Sequence, residues 1–219
     1  MEKYCVIAAV GKDSLHREWI DGSDGAPGFD LHLIVYDESY EKFRNDVRYV
    51  TAAKGSKFNL IGEYLSSTGM IRQYEYFYFP DDDILIDSGN ILKLFRYMEE
   101  YRLMLAQPAI WNYYVSHRHT MRRPASKFRY TNFVEIMQPC FSREALERVQ
   151  FTFTASRTGW GIDFHWPKLL DHEKQKMAII DDLVSFHTRP VQSVHREELA
   201  EYLKKYDCGN LSMYSTPAC

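Results

Sequence analysis

A chain of 219 residues, of which 45% are hydrophobic and 26% charged, has the composition of a globular protein with material for one sizeable core. Its 27 basic residues against 30 acidic ones give a net charge of −3, which argues against a general nucleic-acid binder. The apolar run near the start, from Cys5 to Val10, is too short for a signal-peptide core or a membrane span. We therefore expect no transmembrane segment.

The cysteine pattern bears on the compartment. Four cysteines, at positions 5, 140, 208 and 219, have neither a paired metal-binding spacing nor the density of a disulfide scaffold. This pattern is typical of a reducing compartment. We expect a cytoplasmic protein with a single domain over residues 1–219.

Strand-like and helix-like segments alternate through the first half of the chain, which favours an α/β protein with a largely parallel sheet. The predicted strands cover residues 4–10, 31–36, 48–51, 76–79, 103–107 and 132–137, and a late strand begins at Met177. The predicted helices are a short one from a Ser14 cap to Trp19, one with apolar spacing at Phe58, Ile61, Tyr64 and Leu65, one capped by Ser88, and one capped by Ser142.

Three consecutive aspartates, Asp81, Asp82 and Asp83, directly follow the fourth predicted strand. Adjacent carboxylates repel one another, so such a cluster calls for a cation. Because side chains alternate along an extended segment, Asp81 and Asp83 should point one way and Asp82 the other. Carboxylates suit Mg2+ or Mn2+ and leave coordination positions for the phosphates of a donor. The alternative is a solvated turn in which Asp87 and Ser88 cap the next helix.

The segment TGWGIDFHWPKLL, residues 158–170, carries a second candidate constellation. Glycines on both sides of Trp160 allow close approach of the backbone to a ligand, and the indole offers a stacking face to a sugar. Asp163 follows at the expected start of a helix. It is either a catalytic carboxylate or only the cap of that helix.

Two weaker candidates complete the set. His187 follows the late strand that carries Asp181 and Asp182, and it is either a structural residue or a ligand that suits Mn2+. Lys54 and Lys57 flank a strand-to-helix turn that could hold a phosphate, or they belong to an ordinary surface loop. The basic stretch 117–129 is either a solvated loop or a mobile loop that meets an anionic acceptor.

In this order, the segments resemble those of GT-A type glycosyltransferases. YFPDDDILID resembles the K-x-D-D-D-x-F segment of beta-galactosyltransferase families without its leading lysine. GWGID resembles their W-G-W-G-x-E-D loop, although Phe164 stands where that loop has its second acid. SFHTRP resembles the segment with the late histidine that completes the metal site.

A closer resemblance, over residues 4–190, is to the uncharacterised family called domain of unknown function seven hundred and seven. It is carried by Lys54, Lys57 and Phe58, and by the segments YEYFYFPDDDILID, AQPAI, VEIMQPCFSREAL, GWGIDF and VSFHTRP. The two resemblances imply a GT-A type nucleotide-sugar transferase fold, with a mixed, mostly parallel sheet flanked by helices. Residues 1–87 would bind the donor, residues 88–195 would form the acceptor and catalytic half, and residues 196–219 would form a helix and tail.

The implied function is metal-dependent transfer of a sugar from a nucleotide diphosphate sugar to a glycan or other hydroxyl acceptor, with inversion. Mn2+ or Mg2+ would be held by Asp81, Asp83 and His187, and Asp163 would be the catalytic base. The implied donor contacts are Val10, Gly11, Asp37, Lys54, Lys57, Asp82 and Trp160. The alternatives are a non-catalytic glycan-binding or nucleotide-sugar-binding protein and a sugar nucleotidyltransferase. The latter would carry a glycine- and arginine-rich loop where this chain has AVGKDS.

Overall fold

The computed structural model describes residues 3–21, 27–112, 114–170, 175–191 and 195–217. In these ranges the strands are β1 (Tyr4–Val10), β2 (Asp30–Val35), β3 (Tyr49–Ala52), β4 (Tyr76–Tyr78), β5 (Ile84–Leu85), β6 (Leu105–Pro108), β7 (Phe128–Thr131), β8 (Cys140–Ser142), β9 (Met177–Ile180), β10 (Phe186–His187) and β11 (Ser215–Pro217). The α-helices are α1 (Tyr40–Phe43), α2 (Lys57–Thr68), α3 (Ser88–Glu100), α4 (Arg143–Val149), α5 (Ile162–Leu169) and α6 (Arg196–Tyr206). None of these helices is long and apolar enough to cross a membrane.

Nine of the strands form one sheet in the order β11-β7-β9-β6-β8-β4-β1-β2-β3. Following the pairings across the sheet, seven strands run in one direction, and only β7 and β8 oppose them. The strands β5 and β10 form a separate antiparallel pair. The predicted mixed, mostly parallel sheet flanked by helices is therefore confirmed.

Hydrophobic residues cover both faces of the sheet. In β1, Cys5, Ile7 and Ala9 belong to one core cluster, and the alternate residues Val6, Ala8 and Val10 belong to the other. This period of two is what a strand buried on both faces requires. Helices α2, α4 and α5 supply the first cluster, and α3 supplies the second. The strands are thus fixed at the centre of the molecule, with their ends free to form a site.

The predicted helix from Ser14 to Trp19 is wrong, because this segment is a series of turns. The amide of Leu15 donates to the Asp82 carbonyl at 2.8 Å, and the indole of Trp19 donates to the Ile84 carbonyl at 2.8 Å. These contacts bind the segment to the chain that follows β4, so its backbone is shaped by tertiary contacts rather than by a helical ladder.

The predicted strand over residues 132–137 is also wrong, and β7 lies just before it. The Thr131 hydroxyl accepts a hydrogen bond from the Phe133 amide at 3.1 Å, which turns the chain out of the sheet. The Glu135 amide then donates to the Gln107 side-chain oxygen at 2.6 Å rather than to a backbone carbonyl of a neighbouring strand. Arg129, expected in a basic loop, is buried and pairs with Asp181 at 3.1 Å.

Two helix caps test the local sequence signals. Ser142 caps α4 as predicted, since its hydroxyl accepts from the Ala145 amide at 3.2 Å. The cap of α3 is Asp87 rather than Ser88, because the Asp87 carboxylate accepts from the Asn90 amide at 2.7 Å. A carboxylate at this position also interacts favourably with the helix dipole.

Candidate active site

A cavity of about 420 Å³ lies at the edge where the parallel strands β1, β2 and β4 end. Open α/β sheets bind ligands at this edge. The residues that line it come from both halves of the chain, and they include Tyr36, Lys57, Asp81, Asp82, Asp83, Ser116, His117, Glu135, Thr158, Trp160, Asp163, His187 and Arg189. The triplet, the tryptophan loop and the late histidine that the sequence singled out therefore meet in one place.

Asp82 points toward the ends of β1 and β2. Its carboxylate accepts hydrogen bonds from the Gly11 amide at 2.8 Å and from the Tyr36 hydroxyl at 2.9 Å. A Cβ atom at position 11 would lie 2.5 Å from the Tyr36 hydroxyl oxygen, so this approach of Tyr36 needs glycine. Asp81 and Asp83 make their contacts elsewhere, with Lys57 and His187, as the alternation of side chains predicts.

Asp81 forms an ion pair with Lys57, the first residue of α2. The Lys57 ammonium lies 2.7 Å from Asp81 Oδ1 and also donates to the carbonyls of Ile136 at 2.8 Å and Met137 at 2.9 Å. A cation at the start of a helix opposes the helix dipole. The local position is therefore unfavourable, and the carboxylate and two carbonyls across the cavity hold the lysine there.

Asp83 faces His187, because β5 and β10 pair directly beyond the triplet. The Thr188 amide donates to the Asp83 carbonyl at 3.0 Å, which joins segments 105 residues apart. His187 Nε2 lies 3.1 Å from Asp83 Oδ2, and its Nδ1 lies 2.7 Å from the Tyr114 carbonyl oxygen. A carbonyl can only accept, so Nδ1 carries a proton. Burial, the largest single cause, lowers the pKa of His187. The hydrogen bond and charge of Asp83, the Tyr114 carbonyl and the charge of Asp81 together outweigh it, so the net direction of the pKa is upward.

Arg189 is a member of the site that the sequence reasoning missed. Its guanidinium bonds to the Asp82 carboxylate, and its Nε lies 3.0 Å from Asp83 Oδ2. Burial raises the pKa of Asp83, but His187 and Arg189 together lower it by a larger amount. The pKa of Asp83 is therefore below its ordinary value. A signal was present, since alternation along SFHTRP places residues 187 and 189 on the same face of an extended segment. Lys57 and Arg189 are thus the cations that face the triplet in this structure.

The donor set of this cluster fits a divalent metal ion. One ligand atom from each of Asp81, Asp83 and His187 can be chosen so that all three lie within 4.8 Å of one another. Two carboxylates and an imidazole nitrogen suit Mn2+ and accommodate Mg2+. The Tyr114 carbonyl holds the other ring nitrogen as a donor, which is the usual support for a metal-binding histidine.

A second acidic pair, Glu135 and Asp163, lies in the same cavity. Asp163, at the start of α5, is 4% exposed, and Glu135 is 2% exposed. Burial raises the pKa of Asp163 to about 8, and the nearby Glu135 raises it as well. Burial also raises the pKa of Glu135 to about 7. Sequence reasoning missed Glu135, because this residue lies in the segment 132–137 that the pattern predicts to be a strand.

The loop before Asp163 has the backbone that its glycines predict. Gly159 and Gly161 have φ values of +86° and +94°, in the region that favours glycine. The Ser156 hydroxyl accepts from the Gly159 amide at 3.0 Å and donates to the Trp160 carbonyl at 3.2 Å. Trp160 is half-buried and lines the cavity, so its ring is available to a ligand there.

Four of the predicted donor contacts lie outside the lining of this cavity. The Val10 side chain is fully buried, and the Gly11 amide is bonded to Asp82. Asp37 accepts from the Lys12 amide at 2.7 Å, and Lys54 is exposed, with its ammonium 3.5 Å from Glu38. Their contacts with a donor stay predictions, whereas Lys57, Asp82 and Trp160 already line the cavity.

No protein-family model matches the sequence, and no curated protein matches it. The resemblance to domain of unknown function seven hundred and seven therefore stays a prediction. Solved structures do match the fold. The structure of S. aureus TarS is similar, with a TM-score of 0.60 and 12% identity over 94% of this chain and 39% of that one.

A TarS 1-349 structure in complex with UDP-GlcNAc has a TM-score of 0.57 and 13% identity, over 94% of this chain and 65% of that one. The 4-diphosphocytidyl-2C-methyl-D-erythritol synthase of Anaerococcus prevotii has a TM-score of 0.51 and 9% identity, over 93% of this chain and 96% of that one. The present chain spans about two-fifths of the length of TarS. These similarities, with the sheet described above, establish the GT-A type fold of nucleotide-sugar transferases.

Proposed function

We propose that the protein is a metal-dependent glycosyltransferase that moves a sugar from a nucleotide diphosphate sugar to a hydroxyl acceptor with inversion. One observation carries the proposal: a carboxylate and imidazole cluster and a separate buried carboxylate, Asp163, line one cavity at the carboxyl edge of the sheet. The first can hold a metal, and the second can take a proton. Transfer from a diphosphate donor is accelerated by both functions.

The donor diphosphate would lie between the triplet and the cations that face it. Mn2+ or Mg2+ held by Asp81, Asp83 and His187 would stabilise the negative charge on the departing diphosphate. Lys57 and Arg189 line the same cavity, so each can move its hydrogen bonds from a carboxylate to a phosphate oxygen. The UDP-GlcNAc bound to a TarS 1-349 structure supports a donor of this class.

The transfer step needs one proton acceptor. Asp163 would take the proton of the acceptor hydroxyl while that oxygen forms a bond to the anomeric carbon. The bond from that carbon to the diphosphate oxygen breaks, and the electron pair leaves with the diphosphate. Attack opposite the leaving group inverts the anomeric centre. A raised pKa near neutrality suits this role, because a general base works best with a pKa close to the operating pH.

A sugar nucleotidyltransferase is the second candidate. The A. prevotii synthase, whose name denotes a diphosphocytidyl product, matches the present chain over nearly its own full length. Against this candidate, the amides of Gly11 and Lys12 after β1 are bonded to the carboxylates of Asp82 and Asp37 at 2.8 and 2.7 Å. A nucleoside triphosphate would need such amides. Release of pyrophosphate from a nucleoside triphosphate and a sugar phosphate would identify this activity.

A thermal-shift panel tests donor binding. The purified protein is heated with UDP-GlcNAc and other nucleotide sugars, with Mn2+ or with a chelator. A bound donor raises the midpoint of unfolding, because it binds only the folded state. We expect at least one nucleotide sugar to raise it with Mn2+ and to lose the effect with the chelator. If no nucleotide sugar raises the midpoint with Mn2+ or Mg2+, the proposal fails.

A further inference from the structure

We propose that Glu198, on the C-terminal helix α6, is a positioning residue for Trp160: its carboxylate holds the backbone of the tryptophan loop, residues 156–161, so that the indole lines the cavity. Among the described residues, Glu198 is not itself part of the cavity lining. Its effect on donor binding rests on the proposed function, in which Trp160 contacts the donor. Its effect on the loop is a structural property that can be measured without ligand or turnover.

The carboxylate of Glu198 bonds to the loop at two points. Its Oε1 atom accepts a hydrogen bond from the Thr158 amide at 3.0 Å and lies 3.0 Å from the Ser156 hydroxyl oxygen. Thr158 and Trp160 both line the cavity, so one carboxylate oxygen holds the backbone two residues before the indole. A hydrogen bond to an ionised group is about twice as strong as one between neutral groups. The carboxylate is therefore a strong restraint on this part of the loop.

Glu198 is ionised at neutral pH. Burial raises its pKa, but the hydrogen bonds from the Thr158 amide, the Ser156 and Thr158 hydroxyls and the Arg157 amide together outweigh burial, so the net direction of the pKa is downward. The Arg157 guanidinium lies 3.9 Å from Glu198 Oε2, but the Arg157 side chain is 86% exposed, so this ion pair contributes little. The polar groups of the loop are therefore what stabilises the charge of Glu198.

Ser156 extends the restraint to the rest of the loop. Its hydroxyl accepts from the Gly159 amide at 3.0 Å, and its oxygen lies 3.0 Å from Glu198 Oε1 and 3.2 Å from the Trp160 carbonyl oxygen. A serine has one hydroxyl proton, so the two acceptors share it. Without the carboxylate, this proton would go to the Trp160 carbonyl alone, and the Thr158 amide would lose its acceptor. The backbone that carries the indole would then rearrange.

Packing of α6 fixes Glu198 next to the loop. A Cβ atom at position 161 would lie 3.0 Å from Tyr202 Cδ1 and 3.3 Å from Leu199 Cδ1, so the helix lies directly against the backbone of Gly161. The Tyr202 hydroxyl lies 3.1 Å from His165 Nδ1 on α5. Positions 198 and 202 are four residues apart and share a face of the helix. The face of α6 that packs on the loop is therefore the face that carries the carboxylate.

The start of the loop is held by α2. The Asn59 side chain donates to the carbonyls of Phe153 and Ser156, both at 2.8 Å. Asn59 thus fixes the loop up to Ser156, and α6 packs against it at Gly161. Residues 157–160 lie between these two points, and Glu198 bonds to them at the Thr158 amide. Glu198 therefore acts on the part of the loop that carries the indole.

Fluorine-19 NMR of protein labelled with 5-fluorotryptophan tests the positioning without ligand. The chain has four tryptophans, and the Trp160 resonance is identified by its loss in Trp160→Phe. Glu198→Ala should shift this resonance and change its response to exchange of H2O for D2O, because the indole moves relative to the cavity. The resonances of Trp19 and Trp166, which are fully buried, should stay in place. A Trp160 resonance with the wild-type shift and solvent response would overturn the proposal.

Two substitutions separate positioning from a general effect on α6. Glu197→Ala removes the neighbouring exposed carboxylate, which also lies in the first turn of the helix, so the lost interaction with the helix dipole is matched. It should leave the Trp160 resonance unchanged. Glu198→Gln keeps an oxygen that can accept the same hydrogen bonds, so it should retain most of the wild-type signal. A Trp160 shift in Glu197→Ala as large as that in Glu198→Ala would contradict the assignment.

A further variant covers the case in which Glu198→Ala does not fold. Ser156→Ala removes the hydroxyl that bonds to Glu198 and should also shift the Trp160 resonance. Where both variants fold, the double variant should shift it by less than the sum of the two single shifts, because the two side chains act through one shared hydrogen bond. Additive shifts, or no shift in Ser156→Ala, would count against the proposal.

Donor binding tests the functional consequence. In calorimetry with UDP-GlcNAc and Mn2+, Glu198→Ala should bind the donor about tenfold more weakly, because charge-assisted hydrogen bonds that hold a donor contact are lost. Mn2+ alone should bind as in the wild type, since the proposed ligands are Asp81, Asp83 and His187. Wild-type donor affinity in a variant whose Trp160 resonance moves would contradict the role in donor binding. A wild type that binds no nucleotide sugar would count against the proposed function alone, and the NMR result would stand.

Discussion

Two acidic clusters occupy one cavity, and their surroundings differ. The aspartate triplet faces Lys57, Arg189 and His187, and the pKa of Asp83 is lowered, although burial raises the pKa of Asp81. Burial is the largest influence on Glu135 and Asp163, and both of their pKa values are raised. The carboxyl group of Asp83 is therefore held as an anion, whereas those of Glu135 and Asp163 can carry a proton near neutral pH. When two carboxyl groups in one site have different environments, their pKa values differ. One group can then bind a cation while the other transfers a proton.

The largest expected effect comes from removing the proton acceptor. Asp163→Asn keeps the size of the side chain but removes its basicity, so turnover should fall by roughly two to four orders of magnitude, the usual contribution of general-base catalysis. Donor affinity, measured by calorimetry, should stay close to that of the wild type. Asp207→Asn, at an exposed position after α6, is the matched control. If Asp163→Asn turned over at the wild-type rate, Asp163 would not be the catalytic base and would have only a structural role at the start of α5.

The next effect concerns the anionic cluster. Asp83→Ala should remove metal-dependent donor binding, because it deletes a ligand that His187 and the second carboxylate cannot replace. The fold should persist, since the bonds from Thr188 go to the backbone carbonyl of residue 83, which alanine retains. Circular dichroism and calorimetry with Mn2+ and a nucleotide sugar would measure both, with Asp182→Ala as the exposed control. Mn2+-dependent binding at wild-type strength would remove Asp83 from the metal site.

Arg189 should affect metal and donor in opposite directions. Arg189→Ala frees carboxylate oxygens of Asp82 and Asp83, so Mn2+ alone should bind more tightly. The donor should bind about tenfold or more weakly, because a charge-assisted hydrogen bond to phosphate is lost. Calorimetric titrations with Mn2+ alone and with donor would separate the two effects, and Arg72→Ala is an exposed control. A change of the same sign in both titrations would contradict the placement of Arg189 between them.

The two regions also predict opposite responses of stability to pH. Asp163 has a folded pKa of about 8, above its ordinary value of 3.8, so it contributes less stability as pH rises from about 4 to 8. Asp83 has a lowered pKa, so its contribution is lost only in acid. The thermal unfolding midpoint of Asp163→Asn should therefore rise relative to that of the wild type as pH increases from 5 to 9, by on the order of 5 °C. A constant difference across that range would show that Asp163 is not buried with a raised pKa.

The smallest effect is the metal preference of His187. His187→Ala should weaken Mn2+ binding by more than Mg2+ binding, because nitrogen ligation favours the softer ion. Equal losses for the two ions would leave His187 as a structural partner of Asp83. Asn112 offers a second way to disturb the same segment, since its side chain donates to the His187 carbonyl at 2.7 Å. Asn112→Ala should have a weaker effect with the same ion preference.

Features carried by local sequence could be predicted. The limits of β1 and the Ser142 cap follow from patterns within a few residues, and the alternation in the triplet separates Asp82 from its neighbours. The GT-A fold followed from the order of the motifs. Lys57 could be predicted as a site residue because it begins a helix that follows a strand, although the helix dipole disfavours a cation at that position.

The residues that were missed depend on long-range contacts. Glu135 lies in an irregular segment whose backbone is held by the Gln107 side chain. The neighbouring residues in the sequence show no pattern that would predict its burial. Arg189 reaches the triplet only because β10 pairs with β5, and two residues of pairing leave almost no pattern in a sequence. The helix predicted from Ser14 is wrong for the same reason, because hydrogen bonds to residues after β4 determine the backbone conformation of this segment.

We propose that the cavity catalyses metal-dependent transfer from a nucleotide sugar. The most direct measurement is the time course of nucleoside diphosphate release from UDP-GlcNAc and related donors, with Mn2+ or with a chelator, in the wild type and in Asp163→Asn. We expect release by the wild type from at least one donor, dependence of that release on the metal, and a loss of roughly two to four orders of magnitude in its rate in Asp163→Asn. Release that is as fast with the chelator, or no release from any donor with any divalent metal, would contradict it.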